Sequence, residues 1–243
     1  MNKTIWKSSA EIQHALKGAR KVAVFSCGWC ANLSEAGGLK GMDYLAGLLR
    51  GWGKEVVMQR CFILCCSHEG MAQAMRIYKD RLEESDALVI LSCSAGLKSA
   101  FLCRPPVRIV AATDMVGSVP VTWVDDPVAS SACISCGNCV IAFTGGICPL
   151  GRCPAREKYG PCPDFYTGRM ECAQDPQRAC IWSEIERRGD LAALRELAAL
   201  HAEHGEDRLS SPSHKATASW MRKTAGRIVA GVRGLPRMVP FLK

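Results

Sequence analysis

Apolar and polar positions alternate in two different periods along the first hundred residues. Lys21 to Ser26 (KVAVFS), Glu55 to Arg60 (EVVMQR), Asp86 to Ser92 (DALVILS) and Val107 to Ala112 (VRIVAA) read as short strands, and Asp86 to Ser92 is almost continuously apolar. A run of that last kind predicts a strand buried on both faces, as in a parallel sheet. Between them, Leu39 to Trp52 and Gly70 to Glu84 carry apolar residues at helical spacing, and Ile5 to Leu16 has the stripe of a short amphipathic helix. The alternation predicts βαβ units and a small open parallel sheet with helices on both faces.

From Ser130 to Cys180 the periodicity disappears, and cysteine, glycine and proline become frequent. About fifty residues with so little regular structure need a covalent or metal staple. Ile181 to Leu200 returns to helical spacing through Leu191, Leu194, Leu197 and Leu200. A Ser-Ser-Pro-Ser breaker at 210–213 precedes the final stretch. There Met221, Ala225, Ile228, Val232 and Leu235 line one helical stripe, opposite Arg222, Lys223, Arg227 and Arg233. The expected division is 1–128 for a Rossmann-like α/β domain and 129–182 for a Cys-rich metal or iron–sulfur domain. A helical segment at 183–209 and a basic amphipathic tail at 210–243 complete it.

Charge separates the tail from the rest. The chain has 31 basic and 23 acidic residues, and seven of the basic ones, with no acid, fall within His214 to Lys243. The remaining body is close to neutral, which argues against nucleic acid as its partner. The tail suits an anionic membrane surface or a groove in a partner protein. No run of 18 apolar residues is present, and Met1 to Arg20 lacks an apolar signal core, so a cytoplasmic location is expected.

Composition changes the picture at one residue type: 15 cysteines stand beside 5 histidines. An odd thiol count in a chain expected to stay in a reducing compartment points to metal or iron–sulfur ligands before disulfides. Cys27, Cys61 and Cys93 each follow a predicted strand, at the carboxyl edge where open α/β sheets bind ligands. Cys30 adds a C-x-x-C to the first. These four can converge on a [4Fe–4S] cluster or a tetrahedral zinc. Buried core thiols, or a redox pair of Cys27 and Cys30, are the alternatives. Cys65, Cys66 and Cys103 lie off this pattern and are expected in the core. In the second region Cys133, Cys136 and Cys139 form C-x-x-C-x-x-C, the spacing of bacterial ferredoxins. Cys148, Cys153 and Cys162 each precede proline, and Cys172 and Cys180 follow. Eight thiols suffice for two four-ligand sites, two clusters or a cluster and a zinc. Trp29 is expected to pack, and His68, His201 and His204 to face water.

The segment CISCGNCVIAFTGGICPLGRCPAREKYGPC, then Met170-Glu171-Cys172 and Cys180-Ile181-Trp182, resembles the small iron–sulfur/zinc subunit family of bacterial methylenetetrahydrofolate reductase (MetV-type, the reductase C-terminal domain). Cys27, Cys30, Gly37-Gly38, Cys61 and Ser92-Cys93-Ser94-Ala95-Gly96 resemble the family's N-terminal elements less tightly. The chain departs at Tyr159 to Asp164, YGPCPD where the family has NGPCGG. The resemblance implies an electron-transfer subunit with one or two [4Fe–4S] clusters and a zinc alternative. It also implies a large partner subunit that carries the flavin, with further electron-transfer subunits as possible neighbours. No G-x-G-x-x-G, P-loop or Ser-His-Asp set is present, so no catalytic residue is expected on this chain. A zinc-held structural or activator module for a one-carbon enzyme is the alternative.

Overall fold

The computed structural model describes residues 2–117, 127–130, 133–165, 170–203 and 208–209. In chain order the first elements are β1 (Lys3–Trp6), α1 (Ser9–Ala15), β2 (Lys21–Cys27), α2 (Cys30–Leu33) and α3 (Gly38–Gly51). There follow β3 (Glu55–Phe62), α4 (His68–Ile77), α5 (Lys79–Glu83), β4 (Ala87–Leu91), α6 (Ser94–Leu102), β5 (Arg108–Ala111) and β6 (Thr113–Gly117). The last are α7 (Pro127–Ser130), α8 (Pro149–Arg152), α9 (Ile181–Arg188) and α10 (Leu191–Glu203).

Four strands form a parallel sheet in the order β3-β2-β4-β5. All five residues of β4 are buried, as a central strand covered on both faces requires. Successive residues of β2 serve opposite layers. Val22 and Val24 pack with Leu45 and Leu49 of α3 and with Ile12 and Leu16. Ala23 and Phe25 pack with Met71, Leu82 and Leu97 of the helices on the other side. The chain leaves β2 for β3 on one side and then crosses to β4 on the other. That reversal opens a crevice at the carboxyl ends of β2 and β4.

Three elements depart from the sequence expectation. The stripe from Ile5 to Leu16 is divided: Lys3–Trp6 is a strand, and the helix begins only after Ser8, whose side chain caps the Glu11 amide. The strand pairs antiparallel with β6, which continues from β5 after one residue and carries the chain towards the Cys-rich segment. The stretch 181–200 is two helices, because Gly189 sits against the Phe143 carbonyl, where a Cβ would lie 2.5 Å from that oxygen. Asp190 then accepts from the Ala193 amide and starts the second helix. α6, which begins immediately after Cys93, carries no helical signal strong enough to have been expected.

α9 and α10 return to the first helix. Trp182, Ile185, Leu194 and Leu197 share one hydrophobic cluster with Ile12 and Leu16. Among the described residues no helix is long and apolar enough to cross a membrane. The basic tail, the membrane or partner docking expected of it, and His204 lie outside the described residues.

Candidate metal centres

The eight thiols of the second region fall into two sets of four. Cys133, Cys136, Cys139 and Cys148 line one small cavity, together with Met115 and Lys98. Cys153, Cys162, Cys172 and Cys180 line another of about 450 Å³, with Arg152 and Arg178 at its wall.

Backbone conformation explains the first set. Ser135 and Gly137 adopt left-handed φ values of 56° and 74°, which bend the loop so that its closely spaced thiols line one cavity. Met115 closes the loop from behind: its carbonyl accepts from the Gly137 amide at 3.2 Å, and its sulfur lies 3.7 Å from the Cys133 sulfur. Cys148 arrives from the far side of the Thr-Gly-Gly turn. Gly145 and Gly146 have φ of 62° and 86°, and Cβ atoms there would meet Arg188 at 2.4 Å and Phe101 at 2.6 Å. Only glycine lets that turn lie beneath α6 and α9 and bring Cys148 round. In the second set, Cys172 and Cys180 stand one residue from the bridged pair Glu171 and Ala179. Both therefore fall on the same face of a short hairpin, opposite Cys153 and Cys162.

A third group of thiols occupies the crevice of the parallel sheet. Cys27 ends β2, Cys30 opens α2 and Cys93 caps α6. Cys61 lies inside β3 and not after it, and is buried. Cys65, expected only as core, is buried but hydrogen-bonds the Cys27 sulfur. Cys66 is exposed, and Cys103 is half-buried 3.9 Å from His68 at the start of α4. The bond from Cys65, and the backbone amides of Cys65, Trp29 and Ala31, outweigh burial and hold the Cys27 thiol down at about 6. Sharing that proton, and burial, push Cys65 well up. Cys27 is thus prepared as a thiolate in a nest of N–H donors. Asn2 donates to the Cys93 sulfur at 3.3 Å. Trp29, expected to pack, is 48% exposed at the rim. Among the described residues, no group of three or more His, Cys, Asp and Glu side chains has the spacing to hold a metal ion as it stands.

Residues 123–206 match the family model described as methylene-tetrahydrofolate reductase C terminal. The matched stretch holds both four-thiol sets of the Cys-rich segment and the helices α9 and α10, about a third of the 243-residue chain. The sheet and its crevice lie outside it. Neither curated proteins nor solved structures gave a match.

Behind the loop of the reductase-like segment lies a charged network that the sequence did not disclose. Lys7 bonds Glu11, reaches Asp114 at 2.7 Å and donates to the Cys139 carbonyl at 2.9 Å. Asp114 accepts from the Cys139 amide at 2.7 Å and from Arg208 at 2.6 Å. Arg208 also donates to the Gly137 carbonyl at 2.5 Å. Lys7 and Asp114 are 2% and 0% exposed. Cations and carboxylates so buried persist only when paired. His201, expected in water, has a side chain only 9% exposed, held between Tyr159, at 2.7 Å, and Glu11, at 3.2 Å.

The network makes stability depend on pH. Burial pushes the Glu11 carboxyl up, but Lys7 and His201 outweigh it and hold it at about 2, below its ordinary 4.5. A depressed carboxylate contributes stability above its unfolded value and loses it as pH falls through the folded one. The contribution is on the order of 3 kcal/mol and disappears between pH about 4.5 and 2. Urea midpoints measured from pH 6 to 2, a range of roughly four units about that window, are expected to fall more steeply in the wild type than in Glu11→Gln. Parallel curves would show that Glu11 is not held down.

Proposed function

We propose that the chain is an electron-transfer subunit of a flavin-containing methylenetetrahydrofolate reductase. In this view Cys133, Cys136, Cys139 and Cys148 hold one [4Fe–4S] cluster. Cys27, Cys30 and Cys93 hold a second, with Cys65 or Cys61 as the fourth donor. Cys153, Cys162, Cys172 and Cys180 take zinc or a further cluster. The donor sets fit these groups: each is made of thiols alone, and thiolates are the ligands of iron–sulfur cubes and of structural zinc. The cavity between the first four is only about 20 Å³, so seating a cluster requires the loop to open, with exposed Cys136 on its lip.

The observation that carries a relay is the contact among Cys93, Met115 and Cys133, which form one buried cluster of their own. The crevice of the sheet and the ferredoxin-like loop therefore share a wall one side chain thick. When bound, such clusters accept and release single electrons. The chain's part is to keep two of them adjacent, exclude water between them and fix their ligands through Asp114 and Lys7. Electrons would pass on to the flavin of the large subunit.

The test is to purify the chain without oxygen and measure iron, acid-labile sulfide and zinc per polypeptide, with EPR after reduction. About eight irons with equal sulfide, the content of two cubes, is the expected result. A colourless protein with zinc alone would replace the relay by the structural or activator module. A second possibility rests on the Cys65–Cys27 hydrogen bond, which favours thiol–disulfide work at the crevice. It predicts a disulfide on mild oxidation and no iron at those thiols.

A further inference from the structure

One buried cation belongs to neither the ligand sets nor the Lys7 network. Lys98 lies on α6, one helical turn beyond Ser94, and both line the cavity of Cys133, Cys136, Cys139 and Cys148. Only 3% of Lys98 is exposed. Burial pulls its ammonium down, while the facing thiols of Cys148, Cys133 and Cys139 draw it up. A lysine stem has enough length to reach solvent from most helix faces. Here it lines the cavity of the four thiols instead. The same helix is capped by Cys93, so α6 fixes the relation between this cation and both thiol groups.

We propose that Lys98 is a positioning residue that sets the reduction potential of a cluster held by Cys133, Cys136, Cys139 and Cys148. The assignment rests on the cluster proposed for those thiols. Reduction of a cube adds one negative charge, and four thiolates already surround it. A buried cation stabilises the reduced form more than the oxidised one, and low local polarity keeps the effect from being screened. Lys158 lines the same cavity but is half-buried and lies 5.1 Å from the Tyr159 ring, so solvent screens most of its charge.

The experiment is an EPR-monitored redox titration of the anaerobic full chain as wild type, Lys98→Met, Lys98→Arg and Lys158→Met. The signal of this cluster is assigned as the one lost in Cys148→Ala. Lys98→Met is expected to lower its reduction equilibrium constant tenfold or more, about 59 mV for one electron. Lys98→Arg, which keeps the charge, and Lys158→Met are each expected to stay within about threefold of wild type. A Lys98→Met constant within about threefold of wild type would overturn the assignment, as would an equal fall in Lys98→Arg. Loss of iron in both Lys98 variants would also overturn it, making the side chain a prop for assembly. A wild-type chain without iron at these thiols defeats the cluster proposal itself, whereas a normal cluster at an unmoved potential defeats only the role of Lys98.

Discussion

Replacing Lys7 by methionine is expected to cost the fold about 3–5 kcal/mol, the range for removing one partner of a buried ion pair. The stem is kept and the charge is lost, so packing changes little. What remains is Glu11 and Asp114, 5% and 0% exposed, facing each other without the ammonium between them. Arg208 still reaches one oxygen of Asp114, but the other loses its cation. The Cys139 carbonyl loses its donor as well. For a chain of this size the loss amounts to a fall in melting temperature of roughly 10 °C. Lys17→Met is the comparison. Lys17 pairs with Glu196 at 3.6 Å, with side chains 77% and 56% exposed, and its removal is expected to cost under about 1 kcal/mol. Urea denaturation of both variants decides the matter: equal midpoints would mean that the Lys7 network contributes nothing beyond a surface pair. The double variant Lys7→Met, Glu11→Gln should recover part of the loss, because one of the stranded charges is gone.

The network also marks what the sequence could disclose. The four strands of the parallel sheet were legible because each is short, rich in β-branched residues and bounded by breakers, and the central β4, buried on both faces, is apolar throughout. The strand at Lys3–Trp6 was not, because Ile5, Ile12 and Leu16 mimic one helical stripe across an element boundary. Its partner at Thr113–Gly117 was hidden for a similar reason, following β5 after a single residue. The C-x-x-C-x-x-C spacing gave three members of a thiol set from neighbouring residues. The grouping of the other five in that region depends on how far the Gly145–Gly146 turn carries Cys148, and packing against Phe101 decides that. Cys65 offered one local signal, three residues of loop after the strand of Cys61, but its contact with Cys27 is a product of strand order. Lys98 and Asp114 offered none. Lys98 lies on a helix without a legible helical signal, and Asp114 on a strand hidden behind β5, so neither stands out until the loop folds over them.

Single-thiol substitutions should remove metal one group at a time. The three sets have no thiol in common, although two of them share the wall formed by Cys93, Met115 and Cys133. Cys148→Ala is expected to take away about four irons, one cube, and to leave the signal of the crevice cluster in place. Cys30→Ala should do the reverse. Cys172→Ala should reduce only the zinc, or a third set of irons, held against Cys153, Cys162 and Cys180. At the crevice, Cys61→Ala and Cys65→Ala compete for one position. Cys65 bonds the Cys27 sulfur directly, whereas Cys61 is fixed in β3 beside Ser26, so iron should be lost with Cys65 and retained with Cys61. Cys66→Ala and Cys103→Ala, an exposed and a half-buried thiol, should keep the full complement. Iron and zinc per chain, read beside far-ultraviolet circular dichroism to confirm folding, separate these outcomes. If any one substitution emptied all three groups in a chain that still folds, the division into separate donor sets would be wrong. The two adjoining groups would then have to be one larger centre built across the Met115 wall.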